Sequence, residues 1–185
     1  MKKKILALDC DDVLAKFTEQ SLSLLNEFNN SNFQESDIDQ WDFFKKFLPE
    51  DKLDDFFEFL ADKEIVKNVK PFEEALSHFD ELRKYFRIYV VTSPMSSYSN
   101  WIPHRNEWLK KHFDIPASKV IHTSAKYRVH ADVFVDDRTS SVEKWIKQWG
   151  NEGNGILWKK QGNLSHGSKV IINYTNDWKD VLKYG

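Results

Sequence analysis

Two short apolar segments that each run into a group of aspartates constrain the fold of this 185-residue chain more than any other feature. Ile5-Leu6-Ala7-Leu8 is too short for a buried helix and has the length of a buried strand, and the same holds for Val133-Phe134-Val135. The aspartates that follow are Asp9, Asp11, Asp12, Asp136 and Asp137. Because ligands gather beyond the carboxyl ends of strands in open parallel α/β sheets, the repeated pattern predicts one shared site rather than two unrelated acidic turns.

Strands and helices alternate along the rest of the chain. Further strands are predicted at Ile88–Val91, Lys119–His122, Gly155–Trp158 and Val170–Ile172. Apolar spacing predicts helices at 15–29, from Pro49, from Pro71, at 103–113, from Val142 to a cap at Gly150, and after a cap at Asn176. This alternation predicts an α/β fold with a doubly wound, mostly parallel sheet that helices cover on both faces.

The part of the chain after the first strand has a composition of its own. Residues 33–70 are rich in acids and concentrate phenylalanine. We expect residues 16–70 to form a small helical cap inserted into a core made of residues 1–15 and 71–185. Large apolar side chains prefer burial, so most of these aromatic residues are expected to form the cap's own core.

The spacing of Asp9 and Asp11 lets both side chains face one pocket. Neighbouring carboxylates repel one another, and a bound divalent cation is the common remedy. Oxygen ligands suit Mg2+, which also takes a substrate phosphate as a ligand, and a carboxylate beside it can attack phosphorus. The alternative is an ordinary polar turn in which Asp11 or Asp12 caps the next helix.

Composition and charge exclude some partners. The net charge is −2 and no long basic run is present, so we expect no nucleic acid polymer as a partner. No stretch approaches a membrane span, and the apolar run after the basic start is too short for an export signal. The single cysteine, Cys10, cannot form an internal disulfide, which favours the cytoplasm. A homodimer is expected if Trp145, Trp149 or the phenylalanine cluster forms a surface patch.

The order of these features resembles the haloacid dehalogenase-like phosphohydrolase superfamily. Its first motif, Asp-x-Asp-x-Val/Thr after a strand, matches Asp9 to Val13, and its second, a strand ending in Thr or Ser, matches Thr92. Its third motif, a basic residue, matches Lys126, and its fourth, paired aspartates after a strand, matches Asp136-Asp137. The resemblance implies a phosphatase that uses Mg2+ and forms an aspartyl-phosphate.

A narrower resemblance, to the 5'(3')-deoxyribonucleotidases, covers nearly the whole chain. The segments that carry it are Thr92-Ser93-Pro94 with Trp108, Lys126 before Asp136, Ala131-Asp132 before Asp136-Asp137-Arg138, and Asn176-Asp177-Trp178-Lys179. These enzymes remove phosphate from deoxynucleoside monophosphates, typically with uracil or thymine bases. The resemblance therefore implies a nucleoside monophosphate as the small-molecule substrate.

The same resemblance implies catalytic and metal-binding roles residue by residue. Asp9 would be the nucleophile and a magnesium ligand. Asp11 would bind the metal through its backbone carbonyl and use its carboxyl group as general acid and then base. Asp137 would be a metal ligand, with Asp136 beside it in a supporting role.

Substrate contacts are implied in the same way. The expected phosphate ligands are Thr92, Ser93, Lys126 and Arg105. Helical spacing places Trp108 inward and leaves Arg105 to point elsewhere, while Phe17 and Trp41 would enclose the base and sugar. Two positions depart from the family pattern: Asp12 stands where relatives commonly have glycine, and Ser124 stands where relatives have an arginine that touches phosphate.

Three alternatives remain open from the sequence. Cys10 as the nucleophile of a cysteine phosphatase would need a lowered thiol pKa, although it lies between two carboxylates that raise it. A phosphosugar or another small phosphate ester would not require the stacking surfaces of Phe17 and Trp41. A non-catalytic nucleotide-binding domain would need only a metal site and not both Asp9 and Asp11. The histidines show no pair at zinc-helix spacing.

Overall fold

The computed structural model describes residues 2–150, 154–160 and 173–185, and these contain a parallel sheet of six strands. The strands are β1 (Lys4–Leu8), β2 (Phe86–Thr92), β3 (Val120–His122), β4 (Val133–Asp136), β5 (Gly155–Trp158) and β6 (Asn173–Thr175). Their order across the sheet is β3-β2-β1-β4-β5-β6, and every neighbouring pair is parallel. The prediction of a doubly wound α/β fold is confirmed.

Helices lie between the strands as the alternation predicts. They are α1 (Phe17–Asn29), α2 (Phe44–Phe47), α3 (Leu53–Asp62), α4 (Ile65–Asn68), α5 (Glu73–Tyr85), α6 (Trp101–Phe113), α7 (Thr139–Trp149) and α8 (Trp178–Leu182). Short 3-10 turns occur at Glu35–Asp37, Glu50–Lys52, Ala117–Lys119 and Lys126–Arg128. Gly150 closes α7 with a φ of 63°, a left-handed conformation that glycine adopts without strain, as its position predicted.

Side chains of β1 alternate between the two faces of the sheet. Leu6 and Leu8 join a hydrophobic cluster with α5, α6 and α8, whereas Ala7 packs on the opposite face with Trp145 of α7. Since Trp145 is fully buried there, it contributes nothing to a surface patch, while Trp149 is 37% exposed. With both faces covered, the loops at the strand ends are left to carry a site.

The order of the strands brings the ends of β1 and β4 together. The chain runs from β1 to β2 and β3 on one side and then returns to place β4 on the other side of β1. Reversals of this kind leave a crevice beyond the carboxyl ends of the two central strands, where open α/β sheets bind ligands. Both acidic segments of the sequence end in this crevice.

The helices α1 to α4 lie between β1 and β2 in the chain and share a third hydrophobic cluster. Phe56, Leu60 and Val66 are fully buried in it, and Tyr98 and Trp101 join it from the segment that follows β2. The inserted helices therefore pack against the beginning of α6, next to the crevice. The division into a cap of residues 16–70 and a core of residues 1–15 and 71–185 stays a prediction.

The structure corrects two helix boundaries. Asp177 caps α8, because its side chain accepts a hydrogen bond of 2.9 Å from the amide of Lys179, so the assignment of Asn176 as the cap was wrong. The helix expected from Pro71 begins at Glu73, since Pro71 pairs with Ala15 instead. The predicted strand Val170–Ile172 lies outside the described residues. Among the residues described, no helix has the length and apolar character needed to cross a membrane.

Candidate active site

The turn after β1 aims the first aspartates at the crevice. The amide of Asp9 donates a hydrogen bond of 2.8 Å to the carbonyl of Val135, which extends the pairing of β1 with β4 to the first residue of the loop. The carbonyl of Cys10 then accepts hydrogen bonds from the amides of Leu14 (2.8 Å) and Ala15 (2.9 Å). A buried strand followed by a closed turn leaves the carboxylates little conformational freedom.

Three buried carboxylates meet at the ends of β1 and β4. Asp9, Asp136 and Asp137 offer oxygens that all lie within 4.8 Å of one another. Nζ of Lys126 is 2.6 Å from Oδ1 of Asp9 and 3.1 Å from Oδ2 of Asp136. The other oxygen of Asp136 accepts a hydrogen bond of 2.8 Å from the amide of Arg138. Both oxygens of Asp136 therefore already have protein partners.

The electrostatics of this cluster fit a divalent cation. Burial raises the pKa of Asp9 to about 7; Lys126 opposes the rise, and Asp136 and Asp11 add to it. Burial also raises the pKa of Asp137 to about 6, against the opposing charge of Lys160. Raised pKa values indicate that the surroundings of these carboxylates do not supply enough positive charge to stabilise their ionised forms. A divalent cation would supply it, and an all-oxygen donor set suits a hard ion such as Mg2+. The residues present thus fit a divalent metal.

Asp11 faces the cavity from the same loop, and Arg105 of α6 holds it from behind. Nη2 of Arg105 lies 2.5 Å from Oδ1 of Asp11, and Nη1 donates to Sγ of Cys10 at 3.0 Å. The guanidinium is fully buried, 5.2 Å and 5.6 Å from the ring centres of Trp101 and Trp108. The expectation that Arg105 points away from Trp108 was wrong, because positions 101, 105 and 108 share one face of a helix.

Burial beside Arg105 affects the acidity of both Asp11 and Cys10, with different consequences for their reactivity. Burial raises the pKa of Asp11, and Arg105 is the main opposing charge. Burial also raises the pKa of the Cys10 thiol, and the neighbouring Asp11 and Asp9 raise it further against Arg105. A thiol in that environment is a poor nucleophile, as its position between carboxylates suggested. The buried guanidinium of Arg105 is bonded to Asp11 and Cys10 in this structure. Its contact with phosphate therefore stays a prediction.

Lys160, which the sequence pattern did not reveal, belongs to the same cluster. Its Nζ lies 2.5 Å from Oδ2 of Asp12 and 2.7 Å from Oδ2 of Asp137. The available signal was its place two residues after β5, at the edge where β1 and β4 also end. Asp12 accepts further hydrogen bonds from the amide (2.7 Å) and Oγ1 (2.6 Å) of Thr18 in the first turn of α1. The N-cap position of α1 is Lys16, whose side chain makes no capping hydrogen bond, so the hypothesis that Asp12 is the cap residue was wrong; Asp12 instead accepts from the first turn of the helix from outside it.

Hydroxyl groups at the ends of β2 and β3 lie on the polar side of the site. Oγ1 of Thr92 is buried and has no hydrogen-bond partner within the part of the chain that the structure describes. Ser93 lines the cavity and donates to the carbonyl of Thr123 at 3.2 Å, and Ser124 lines it as well. A buried hydroxyl normally has a partner, so the unpaired group at Thr92 fits a bound anion or water at this corner. The phosphate contacts of Thr92, Ser93 and Lys126 stay predictions.

A cavity of about 450 Å³ lies above the carboxylates. Its floor includes Asp9, Asp11, Ser93, Lys126 and Asp137. Its apolar walls are Phe17, Trp41, Phe43, Phe44, Phe57, Met95 and Trp101. Phe17 and Trp101 make an edge-to-face contact with ring centres 6.0 Å apart, and the guanidinium carbon of Arg138 lies 4.1 Å from the ring centre of Trp41. Phe17 and Trp41 were expected at the substrate, whereas Trp101 and Met95 were not.

Comparisons with known proteins match the chain to a family of nucleotidases. The family model for "5' nucleotidase, deoxy (Pyrimidine), cytosolic type C protein" matches residues 3–183. The chain belongs to this family. Two curated relatives named 5'(3')-deoxyribonucleotidase, from Bacillus subtilis (strain 168) and from Bacillus phage SPbeta, are each 28% identical to it over 180 residues. The match covers 97% of this chain and 96% of each relative.

Solved structures show that this chain has a haloacid dehalogenase-like fold. A proposed haloacid dehalogenase-like hydrolase from Burkholderia xenovorans LB400 has a TM-score of 0.61 at 13% identity, covering 98% of this chain and 99% of that one. A hydrolase from Pseudomonas syringae has a TM-score of 0.57 at 10% identity, covering 99% of this chain and 97% of that one. The chain is therefore a phosphoric monoester hydrolase, which confirms the family and enzyme class inferred from the motifs.

Proposed function

We propose that this protein is a Mg2+-dependent phosphatase that hydrolyses (deoxy)nucleoside monophosphates, preferring pyrimidine bases, through an aspartyl-phosphate on Asp9. The observation that carries the proposal is the make-up of one cavity, whose floor combines carboxylates with Lys126 and whose walls are aromatic. A phosphate ester attached to a flat ring system matches both parts. The printed names of the curated relatives support the same substrate class.

In the first step, an oxygen of ionised Asp9 attacks phosphorus, and the bond from phosphorus to the nucleoside oxygen breaks. Lys126 reduces the repulsion between the carboxylate and the phosphate, because its ammonium group already lies 2.6 Å from Asp9. Asp11 gives its proton to the departing oxygen. Positioning and charge stabilisation supply most of the catalysis in a transfer of this kind.

In the second step, a water molecule loses a proton to Asp11 and attacks phosphorus, and the bond to the Asp9 oxygen breaks. Free phosphate leaves, and the Asp9 carboxylate is restored. Asp11 suits both steps because burial raises its pKa while Arg105 opposes the rise. A raised pKa leaves a larger fraction of Asp11 protonated than of an ordinary aspartate at the same pH, which favours its role as the acid.

The metal would be held by Asp9 and Asp137, with the backbone carbonyl of Asp11 as a further ligand and Asp136 in support. When bound, Mg2+ supplies positive charge to the phosphate oxygens and aligns the phosphate with its nucleophile. The supporting role of Asp136 is consistent with its two oxygens already being bonded to Lys126 and to the amide of Arg138.

The base and sugar would be enclosed by Phe17 and Trp41, with the other aromatic walls excluding water. The phosphate would be held by Thr92, Ser93 and Lys126, with Arg105 acting on it through Asp11. A cytoplasmic location and a homodimer also stay proposals, because the observed surfaces test neither.

The test is phosphate release from dUMP, dTMP, dCMP, dAMP and UMP and from sugar phosphates, measured with Mg2+ and with EDTA. We expect Mg2+-dependent activity that is greatest with dUMP or dTMP. Activity confined to sugar phosphates would keep Asp9 and Asp11 in their roles and contradict the nucleotidase assignment. A complete lack of activity would favour a non-catalytic nucleotide-binding domain.

Three variants separate the candidate nucleophiles. Asp9→Asn should abolish turnover and leave the circular dichroism spectrum unchanged, and Asp54→Asn, at an exposed aspartate of α3, is the matched control. Cys10→Ser should remain active, because a hydroxyl can accept the hydrogen bond from Arg105. Appreciable nucleotide hydrolysis by Asp9→Asn would contradict the assignment. An inactive Cys10→Ser that still binds metal would return the thiol to consideration.

A further inference from the structure

Asp12 has an unusual backbone conformation, and each of its carboxylate oxygens has a partner. Its φ is 57°, in the left-handed region that few residues other than glycine adopt without cost. Oδ1 accepts from the amide of Thr18, and Oδ2 accepts from the hydroxyl of Thr18 and from Lys160. The strained turn thus places a buried negative charge beside the metal-binding carboxylates, a position that needs a compensating cation.

Lys160 provides that cation and also reaches the metal site. Its side chain is only 16% exposed, and its ammonium group bridges Asp12 at 2.5 Å and Asp137 at 2.7 Å. The ammonium group of Lys160 thus lies between two carboxylates and holds an oxygen of a proposed metal ligand.

We infer that Lys160 and Asp12 are opposing charges beside the metal site, with Lys160 competing with the cation for Asp137 and offsetting the charge of Asp12, so that the two residues together set the affinity for the divalent cation. This inference rests on the metal site of the proposed function but not on the nucleotide substrate. The three groups come from separate parts of the chain: the turn after β1, the end of β4 and the end of β5.

The two charges act on a bound cation with opposite signs. Lys160 repels a cation on Asp137 and competes for the carboxylate, whereas Asp12 attracts the cation. With water-like screening, a unit charge roughly 6 Å from a divalent ion changes its binding constant about tenfold, and a buried site screens less than water does. Removing either charge alone should therefore change metal affinity strongly, and removing both should nearly cancel.

The experiment is calorimetric titration of Mg2+ into the metal-free full chain, without substrate. The variants are Lys160→Met, Asp12→Asn and the double variant; asparagine keeps the shape of the side chain and tolerates a positive φ. Lys159→Met is the matched control, because Lys159 is the adjacent exposed lysine. Lys160→Arg tests whether another cation restores the behaviour of the native residue.

We expect Mg2+ to bind about tenfold more tightly to Lys160→Met and about tenfold more weakly to Asp12→Asn, with the double variant within about threefold of the native protein. Lys159→Met and Lys160→Arg should also remain within about threefold. If Lys160→Met does not fold, the double variant must still bind more tightly than Asp12→Asn.

The outcomes separate this inference from the proposed function. If Lys160 only held Asp137 in place, both single variants should bind Mg2+ more weakly. The site would then lose the Asp137 ligand, whichever charge the substitution removes. Weakened or unchanged binding by Lys160→Met would therefore overturn the inference and leave the proposed function in place. Absence of divalent cation binding by the native chain would overturn both.

Discussion

Replacing Arg105 by methionine should reduce stability and shift the titration of Asp11 at the same time. Arg105 is fully buried, pairs with Asp11 at 2.5 Å, and lies against Trp101 and Trp108. Removing one partner of a buried ion pair costs about 3 to 5 kcal/mol, because the other charge stays behind without compensation. The Asp11 side chain is 22% exposed and keeps some hydration, which places the expected loss near the lower limit, about 3 kcal/mol.

A loss of that size is measurable in two ways. For a domain of this length, about 3 kcal/mol corresponds to a decrease in melting temperature of roughly 6 to 12 °C, which denaturant unfolding and thermal melts can both follow. Because Arg105 is the main charge that opposes the raised pKa of Asp11, that pKa should rise further in the variant. The acidic limb of the pH profile of kcat should then move to higher pH.

Lys110→Met is the control on the same helix, since Lys110 makes an exposed ion pair with Asp114 and should leave stability nearly unchanged. Equal stability losses in Arg105→Met and Lys110→Met would refute the idea that the buried pair stabilises the fold. A destabilised Arg105→Met with an unmoved pH profile would limit Arg105 to a structural role and remove it from the positioning of Asp11.

Three further predictions concern other parts of the molecule. Trp41→Ala should raise KM for the preferred nucleotide several-fold and leave sugar phosphates unaffected; equal effects on both would contradict base stacking. Burial raises the pKa of Asp9 from 3.8 to about 7, so the unfolding free energy of the metal-free protein should decrease as the pH rises between these values. Denaturant titrations in EDTA would measure this decrease, and Asp9→Asn should make the dependence of unfolding free energy on pH shallower. Asp177→Ala should cost about 1 kcal/mol of unfolding free energy, and Asn176→Ala much less; the reverse order would contradict the observed cap.

Much of the fold could be predicted from the sequence because its signals are local. The apolar runs that became β1 and β4 end at the aspartates that meet in the structure, and each strand needs only a few neighbouring residues to be recognised. Gly150 closes α7 as expected, since a left-handed cap depends on one residue. The cap of α8 was misplaced by one position, because Asn176 and Asp177 are both good capping residues and only the backbone distinguishes them.

The parts of the site that were missed depend on contacts between distant segments. Lys160 follows a strand in the same way as Asp9 and Asp137, but nothing nearby in the sequence shows that it returns to Asp12, 148 positions earlier. The direction of Arg105 was available from its helical spacing to Trp101 and Trp108. It was missed because a charged residue is expected at the surface, and its buried partner, Asp11, lies in another part of the chain.

The described site has an excess of negative charge that links its separate features. Five aspartates face three cations, so two negative charges remain unbalanced when every group is ionised; the aspartates are Asp9, Asp11, Asp12, Asp136 and Asp137, and the cations are Arg105, Lys126 and Lys160. In the metal-free protein burial raises the pKa values of Asp9 and Asp137, and the neighbouring carboxylates add to the rise against the opposing lysines. A divalent cation would relieve the repulsion among the carboxylates and release the protons they hold. The nucleophile would then be ionised when the metal that aligns the phosphate is bound, so metal binding and activation of Asp9 would occur together.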